Sequence, residues 1–281
     1  MEYRTLFKNT KIPKIGLGTW KVGGEFVSDY SSDLDSIEAI KNAIKMGYTH
    51  IDTAELYGNG HCEELVGKAI EDFERNKLFI TTKVFKTNLG YYDVINSCKN
   101  SLNRLQLDFV DLYLIHSFNP DIPLKMTMKA LDCLVEEGYI KYIGVSNFRG
   151  TQIEEAQKYT KNKIVMNQIE YNLSVRNGGM SSNNIFMEEE VIPYCQKNNI
   201  IITAYRPFDG GNLLDQNELL EQLARKYNSS VAQIALKWLI NKKNIITIPQ
   251  SLNVDHLKEN LDVFDWDISE EDMHLLDVTK F

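Results

Sequence analysis

The stretch Phe109-Val110-Asp111-Leu112-Tyr113-Leu114-Ile115-His116 decides the fold. It is almost unbroken in apolar and aromatic side chains, too short for a globular helix, and closed by an ionisable residue. A strand wet on one face alternates polar and apolar residues, whereas a strand covered on both faces reads as a continuous run. Comparable runs lie outward from it at 78–83, 49–52 and 15–18 on one side, and at 140–145, 164–168, 200–205 and 245–248 on the other. That makes eight.

Amphipathic segments separate the runs. Leu34, Ile37, Ile40 and Ile44 fall at helical spacing and stop before Gly47, a C-terminal signal. Leu65, Ala69, Ile70 and Phe73 repeat the pattern, as do Ile95, Cys98, Leu102 and Leu105, and then Leu124, Met128, Leu131, Leu134 and Val135 before Gly138. Eight strand-then-helix units predict an α/β chain folded as a (β/α)8 TIM barrel with extra helices near the C-terminus, the last around 270–277. No linker interrupts the pattern, so residues 1–281 read as one domain. The one loose segment is 174–184, rich in Ser, Asn and Gly, after the sixth run.

Composition narrows the function. The 281 residues carry 31 Lys+Arg against 39 Asp+Glu, a net charge of −8, which argues against nucleic acid or an anionic membrane as partner. Cys62, Cys98, Cys133 and Cys195 are widely spaced, with no CxxC pair and no metal-ligand spacing, so no metal is expected. No run approaches the roughly 18 apolar residues of a spanning helix, and the first residues lack a signal-peptide pattern. The expectation is a cytoplasmic, soluble monomer.

In a barrel of this kind the chemistry gathers where strands end. The runs end in Asp52, Lys83, His116, Ser146 with Asn147, Gln168, Tyr205, and Gln250 with Ser251. Asp52, Lys83 and His116 close three successive strands and converge on one rim. A buried Lys needs a carboxylate partner, which Asp52 supplies. Tyr57, in the loop after Asp52, can reach Lys83, whose ammonium is expected to lower the phenol pKa from about 10 towards neutrality. A tyrosine so placed is a proton donor, and His116 can orient a substrate oxygen. The set protonates an oxygen while hydride arrives at carbon.

Further motifs surround these residues. Gly16-Leu17-Gly18-Thr19-Trp20, His50-Ile51-Asp52-Thr53-Ala54-Glu55-Leu56-Tyr57-Gly58, Thr82-Lys83 and Leu114-Ile115-His116 occur in that order. Ile143-Gly144-Val145-Ser146-Asn147-Phe148, Asn167-Gln168-Ile169-Glu170-Tyr171, and Ile248-Pro249-Gln250-Ser251 with Glu259-Asn260 follow. Together they resemble the aldo-keto reductases almost end to end. The resemblance implies a (β/α)8 barrel that reduces aldehyde or ketone carbonyls with NAD(P)H, with Asp52, Tyr57, Lys83 and His116 as the catalytic four. It also implies that Ser146, Asn147 and Gln168 hold the nicotinamide carboxamide, that Tyr205 stacks on the nicotinamide ring, and that Ser251, Glu259 and Asn260 meet the adenosine half. Trp20, Phe85 and Phe118 are implied as walls of the substrate pocket.

Two positions depart from the pattern. NADPH-binding members usually carry Lys where this chain has Gln250 and Arg where it has His256. A 2′-phosphate wants fixed charge and fork-like donors; Gln250 is neutral and His256 at best partly charged. Arg206, where Ser is usual, is a candidate charge for the pyrophosphate. The resemblance favours NADP(H), and the two replacements leave NAD(H) open. The 174–184 loop is longer than the family pattern and lies on the active rim, and the short tail after the last helix implies an open pocket.

Other motifs fail. Gly16-Leu17-Gly18 lacks the third glycine of a dinucleotide fingerprint, since Lys21 occupies its place, and Gly67-Lys68 is followed by Ala69 rather than Ser or Thr. Neither GxSxG nor HExxH occurs. His50, His61 and His274 are expected to be incidental. Two rival functions remain: an aldolase-type barrel with Lys83 as Schiff base, and a cofactor-binding regulatory subunit with weak turnover.

Overall fold

The computed structural model describes residues 1–181, 185–215 and 217–281. The chain opens with a small antiparallel hairpin, β1 (Tyr3–Thr5) and β2 (Lys11–Pro13). The barrel strands follow: β3 (Leu17–Gly18), β4 (His50–Asp52), β5 (Phe79–Val84), β6 (Val110–Ile115), β7 (Ile140–Ser146), β8 (Ile164–Glu170), β9 (Ile201–Tyr205) and β10 (Ile245–Thr247). Neighbours pair in chain order and all run parallel. The sheet closes on itself through bridges from Ile15 to Thr247 and from Gly18 to Gln250, giving the (β/α)8 barrel that the eight runs predict. At this seam the Gly18 N–H donates to the Pro249 carbonyl at 3.1 Å. A Cβ on Gly18 would stand 2.6 Å from the Ile248 carbonyl oxygen, so the seam needs glycine there.

Strand β6 shows why the deciding run is continuous. Leu112 and Leu114 point inward to a core with Phe79, Val165, Met166, Ile201 and Ile246. Tyr113 and Ile115 point outward into the larger core under the helices. Both faces are covered, so neither tolerates a polar stripe.

The helices are α1 (Asp33–Met46), α2 (His61–Ile70), α3 (Tyr91–Leu105), α4 (Leu124–Glu136), α5 (Gly150–Lys158), α6 (Ile192–Lys197), α7 (Glu218–Tyr227), α8 (Val231–Asn241), α9 (Val254–Asp262) and α10 (Glu270–Val278). Two details differ from the periodicity. Leu34 is 82% exposed, because it lies in the first turn before α1 meets its packing partners. Phe73 falls outside α2, in a turn whose N–H returns to the Ile70 carbonyl. The N-terminal hairpin carries no apolar run and escapes periodicity altogether. Its loop and second strand nonetheless contribute Leu6 and Ile12 to the inner core, plugging the end of the barrel opposite the strand termini.

Candidate active site

Asp52 ends β4, Lys83 sits one residue before the end of β5, and His116 follows β6, so adjacent strands bring all three to one rim. Tyr57 starts the short 3-10 segment Tyr57–Gly60. The ammonium of Lys83 spends its three donors on Asp52 Oδ1 at 2.5 Å, the Thr53 carbonyl at 2.8 Å and the Tyr57 hydroxyl at 3.0 Å. The other oxygen of Asp52 accepts from the Gln168 amide at 2.7 Å. Since Tyr57 oxygen accepts from Lys83, its own O–H points elsewhere, and no acceptor for it occurs among the described residues. The His116 ring stands edge-on to Tyr57, with centroids 5.8 Å apart.

Burial works to strip the proton from Lys83, but Asp52 and Tyr57 outweigh it and hold the amine above its ordinary pKa. A charged, fully engaged ammonium is no nucleophile, so the geometry opposes the Schiff-base alternative. Burial also dominates at Tyr57 and pushes the phenol up, against the partial downward pull of Lys83. This corrects the expected shift towards neutrality: the desolvation cost of a buried phenolate exceeds the attraction of an ammonium already paired with Asp52. Tyr57 is therefore a phenol at neutral pH. His116 is pushed down to about 3, first by burial and then by Lys83, and is a neutral imidazole. Its Nδ1 is buried without a hydrogen-bond partner.

The expected pocket walls separate into two groups. Trp20 meets Tyr57 edge-on at 4.8 Å and Phe26 at 5.3 Å, and Phe85 faces His116 at 6.1 Å. Phe118 instead packs on Phe148 and lines a neighbouring cleft of about 450 Å³ with Lys86, Asn119, Asp121 and Gln152.

Next to the reacting groups lies a connected set of amides and hydroxyls. Asn147 takes a left-handed backbone (φ 59°). It donates to Ser146 Oγ at 3.0 Å and to the His116 carbonyl at 3.2 Å, while its oxygen accepts from the Tyr205 hydroxyl at 3.0 Å. A carboxamide needs a donor and an acceptor side by side, and Ser146, Asn147 and Gln168 present both kinds here. The residues fit a nicotinamide. Arg206 is less free than expected, because its guanidinium is paired with Glu170 at 3.0 Å and Asp209 at 3.4 Å.

The residues expected at the adenosine half gather around the start of α9. Ser251 Oγ accepts from the Asn253 N–H, and Asn253 caps the helix by accepting from the N–H groups of Asp255 and His256. Gln250 and His256 are exposed and Glu259 is half-buried. Asn260 is buried, in the same part of α9 as Leu257, whose carbonyl accepts from the Tyr48 hydroxyl at 2.9 Å.

Sequence reasoning passed over several contributors. The Thr53 carbonyl completes the shell of Lys83, a backbone role that no side-chain motif signals. Glu55 accepts from the Phe85 N–H at 2.6 Å and from Asn88 at 3.0 Å, tying the Tyr57 loop to the loop after β5. His61 lies outside the reacting groups and ties the start of α2 to the start of α1. Its two nitrogens contact Asp33 at 2.8 Å and Glu64 at 2.9 Å, and Tyr30 lies over its ring. Burial opposes its charge, but Glu64 and Asp33 together raise its pKa. Part of the 174–184 loop, residues 182–184, lies outside the described residues. Of the rest, Arg176 donates to the Leu276 and Asp277 carbonyls and the Met180 N–H donates to Glu170.

The Aldo/keto reductase family profile matches residues 14–279. Glyoxal reductase of Bacillus subtilis (strain 168) is 38% identical over 274 residues, covering 97% of this chain and 90% of that protein. Methylglyoxal reductase YeaE of Escherichia coli (strain K12) is 32% identical, covering 96% and 91%. Among solved structures, the thermostable aldo-keto reductase Tm1743, in complex with the inhibitor epalrestat, superposes with a TM-score of 0.91 at 44% identity, covering 99% of each chain. An aldo/keto reductase from Klebsiella pneumoniae in complex with NADP and acetate gives 0.87 at 30% identity, covering 99% and 97%. This chain belongs to the aldo/keto reductase family. It is an oxidoreductase that reduces aldehyde or ketone carbonyls to alcohols with a nicotinamide dinucleotide.

Proposed function

We propose that Tyr57 is the proton donor of this reduction, Lys83 its electrostatic partner, Asp52 the counter-charge that keeps Lys83 protonated, and His116 the donor that orients the carbonyl oxygen. The single observation that carries this is the Tyr57 hydroxyl, which accepts from Lys83 and keeps its own proton for a substrate. A bound reduced nicotinamide supplies the hydride. As negative charge develops on oxygen, the phenol releases its proton towards it, and the adjacent ammonium stabilises the phenolate left behind. The neutral His116 ring donates an N–H without competing for that proton. Ser146, Asn147, Gln168 and Tyr205 hold the nicotinamide end, and Ser251, Glu259 and Asn260 the adenosine end. Trp20 and Phe85 bound the substrate beside Tyr57 and His116, and Phe118 bounds it where it extends into the neighbouring cleft.

NADP(H) is the favoured cofactor, on the strength of the Klebsiella relative bound to NADP. The substrates are small oxoaldehydes of the kind named for the Bacillus and Escherichia relatives. The enzyme works as a single-domain monomer over residues 1–281 in the cytoplasm. In support of the single domain, all eight barrel strands belong to one sheet; no described helix is long and apolar enough to cross a membrane. A kinetic screen of methylglyoxal, glyoxal, glyceraldehyde, sugars and aromatic aldehydes, each with NADPH and NADH, tests this. Cofactor binding without reduction of any of them would favour the regulatory-subunit alternative. A strong NADPH preference that survives Arg206→Ala and His256→Ala would remove those two residues from cofactor selection.

A further inference from the structure

Glu63 is a fully buried carboxylate that the chemistry above does not use. It lies in the first turn of α2 and is held from two sides. One oxygen accepts from the Thr82 hydroxyl at 2.5 Å. The other accepts from Arg104 of α3, whose Nε and terminal nitrogen both stand 2.7 Å away. Arg104 also reaches Ser101 at 3.2 Å.

Both partners adjoin the catalytic groups. Thr82 precedes Lys83 on β5, and alternation along a strand sends Thr82 outward to the helices while Lys83 faces the barrel mouth. Arg104 lies against Gly60, the last residue of the segment that Tyr57 begins. A Cβ on Gly60 would stand 2.8 Å from Arg104 Cδ and Nε, and the residue's φ of +91° also favours glycine. One ion pair, with Glu63 enclosed and Arg104 24% exposed, therefore touches the strand carrying Lys83 and the loop carrying Tyr57, from the side away from the substrate.

A pair of this kind adds little net stability over well-packed apolar side chains, but it fixes geometry through directional bonds. We propose that Glu63, Arg104 and Thr82 form a positioning clamp that sets the separation between the Lys83 ammonium and the Tyr57 hydroxyl. The clamp rests on Tyr57 being the proton donor, and it acts through that pair without touching substrate.

Thr82→Val removes one hydrogen bond at nearly constant side-chain shape and substitutes none of the catalytic residues. The variant should lose roughly tenfold in kcat, keep KM for the carbonyl and Kd for NADPH within about twofold, and recover with Thr82→Ser. The basic limb of its kcat profile should move to higher pH, since a more distant ammonium stabilises the phenolate less. Ultraviolet titration of each protein against its Tyr57→Phe counterpart reads the same ionisation without turnover. An unchanged kcat and Tyr57 titration in a folded Thr82→Val protein would overturn the clamp and leave the pair a structural one. Should that variant fail to fold, Arg104→Lys, which keeps the charge and loses the fork, is held to the same readouts. Should the wild type reduce no carbonyl, the proton-donor assignment fails while the Tyr57 titration still judges the clamp.

Discussion

The Tyr57 hydroxyl oxygen accepts a hydrogen bond from Lys83 at 3.0 Å, and Lys83 has no N–H left for anything else. The direction of this bond assigns the protons. The ammonium gives to the phenol, and the phenol is left to give outward. Tyr57→Phe keeps the ring against Trp20 and deletes only the donor. Turnover should fall by about 10²–10⁴, with NADPH affinity by fluorescence titration almost unchanged. Equal loss of turnover and affinity would refute the assigned role.

Asp52→Asn should destabilise the protein more than it perturbs its shape. Lys83 and Asp52 are both buried, and removing one charge strands the other at a cost of ~3–5 kcal/mol. Urea unfolding should show this loss, and the double variant with Lys83→Met should recover much of it. A single Asp52→Asn variant as stable as wild type would mean that Lys83 sheds its proton easily, reopening the Schiff-base alternative.

Stability should fall on the acid side partly through histidine. Burial pushes His50 and His116 down to about 4 and about 3, below the roughly 6.5 of an unfolded chain. Within that window the unfolded state binds protons that the folded state refuses. Their contribution is thus complete above about pH 6.5 and shrinks as pH falls. His61 has the opposite sign: its raised pKa gives stability that is full below the unfolded value and is lost as pH rises through the folded one. Urea unfolding against pH should show a shallower acid slope for His50→Gln and a shallower basic slope for His61→Gln. Slopes identical to wild type would reject these assignments.

Gln250→Lys with His256→Arg should sharpen the choice of cofactor. Both positions are exposed near the start of α9, so added cations reach solvent and any 2′-phosphate without burial cost. One charge-assisted contact corresponds to about tenfold in affinity. KM for NADPH should drop by at least that factor while KM for NADH holds. If both constants stay put, the 2′-phosphate is read elsewhere.

The barrel was legible because each strand is buried on two faces and each helix on one, and both conditions leave a periodic mark on local sequence. The hairpin 3–13 was not, since β1 is exposed or half-exposed along its length and the hairpin carries no continuous apolar run. Asp52, Lys83 and His116 were legible as strand ends, whereas the Thr53 carbonyl and the Glu63–Arg104 pair were invisible. A backbone acceptor has no residue identity, and an ion pair spanning two helices has no spacing.

The chain by itself determines which chemical groups exist and on which strand ends they fall, because those follow from nearest neighbours along the polymer. Only the tertiary structure decides their state. It determines that Lys83 is charged and saturated, that His116 is neutral, and that Tyr57 is pushed up rather than down. Desolvation and Coulomb energy depend on distances between groups far apart in sequence, and folding alone sets those distances.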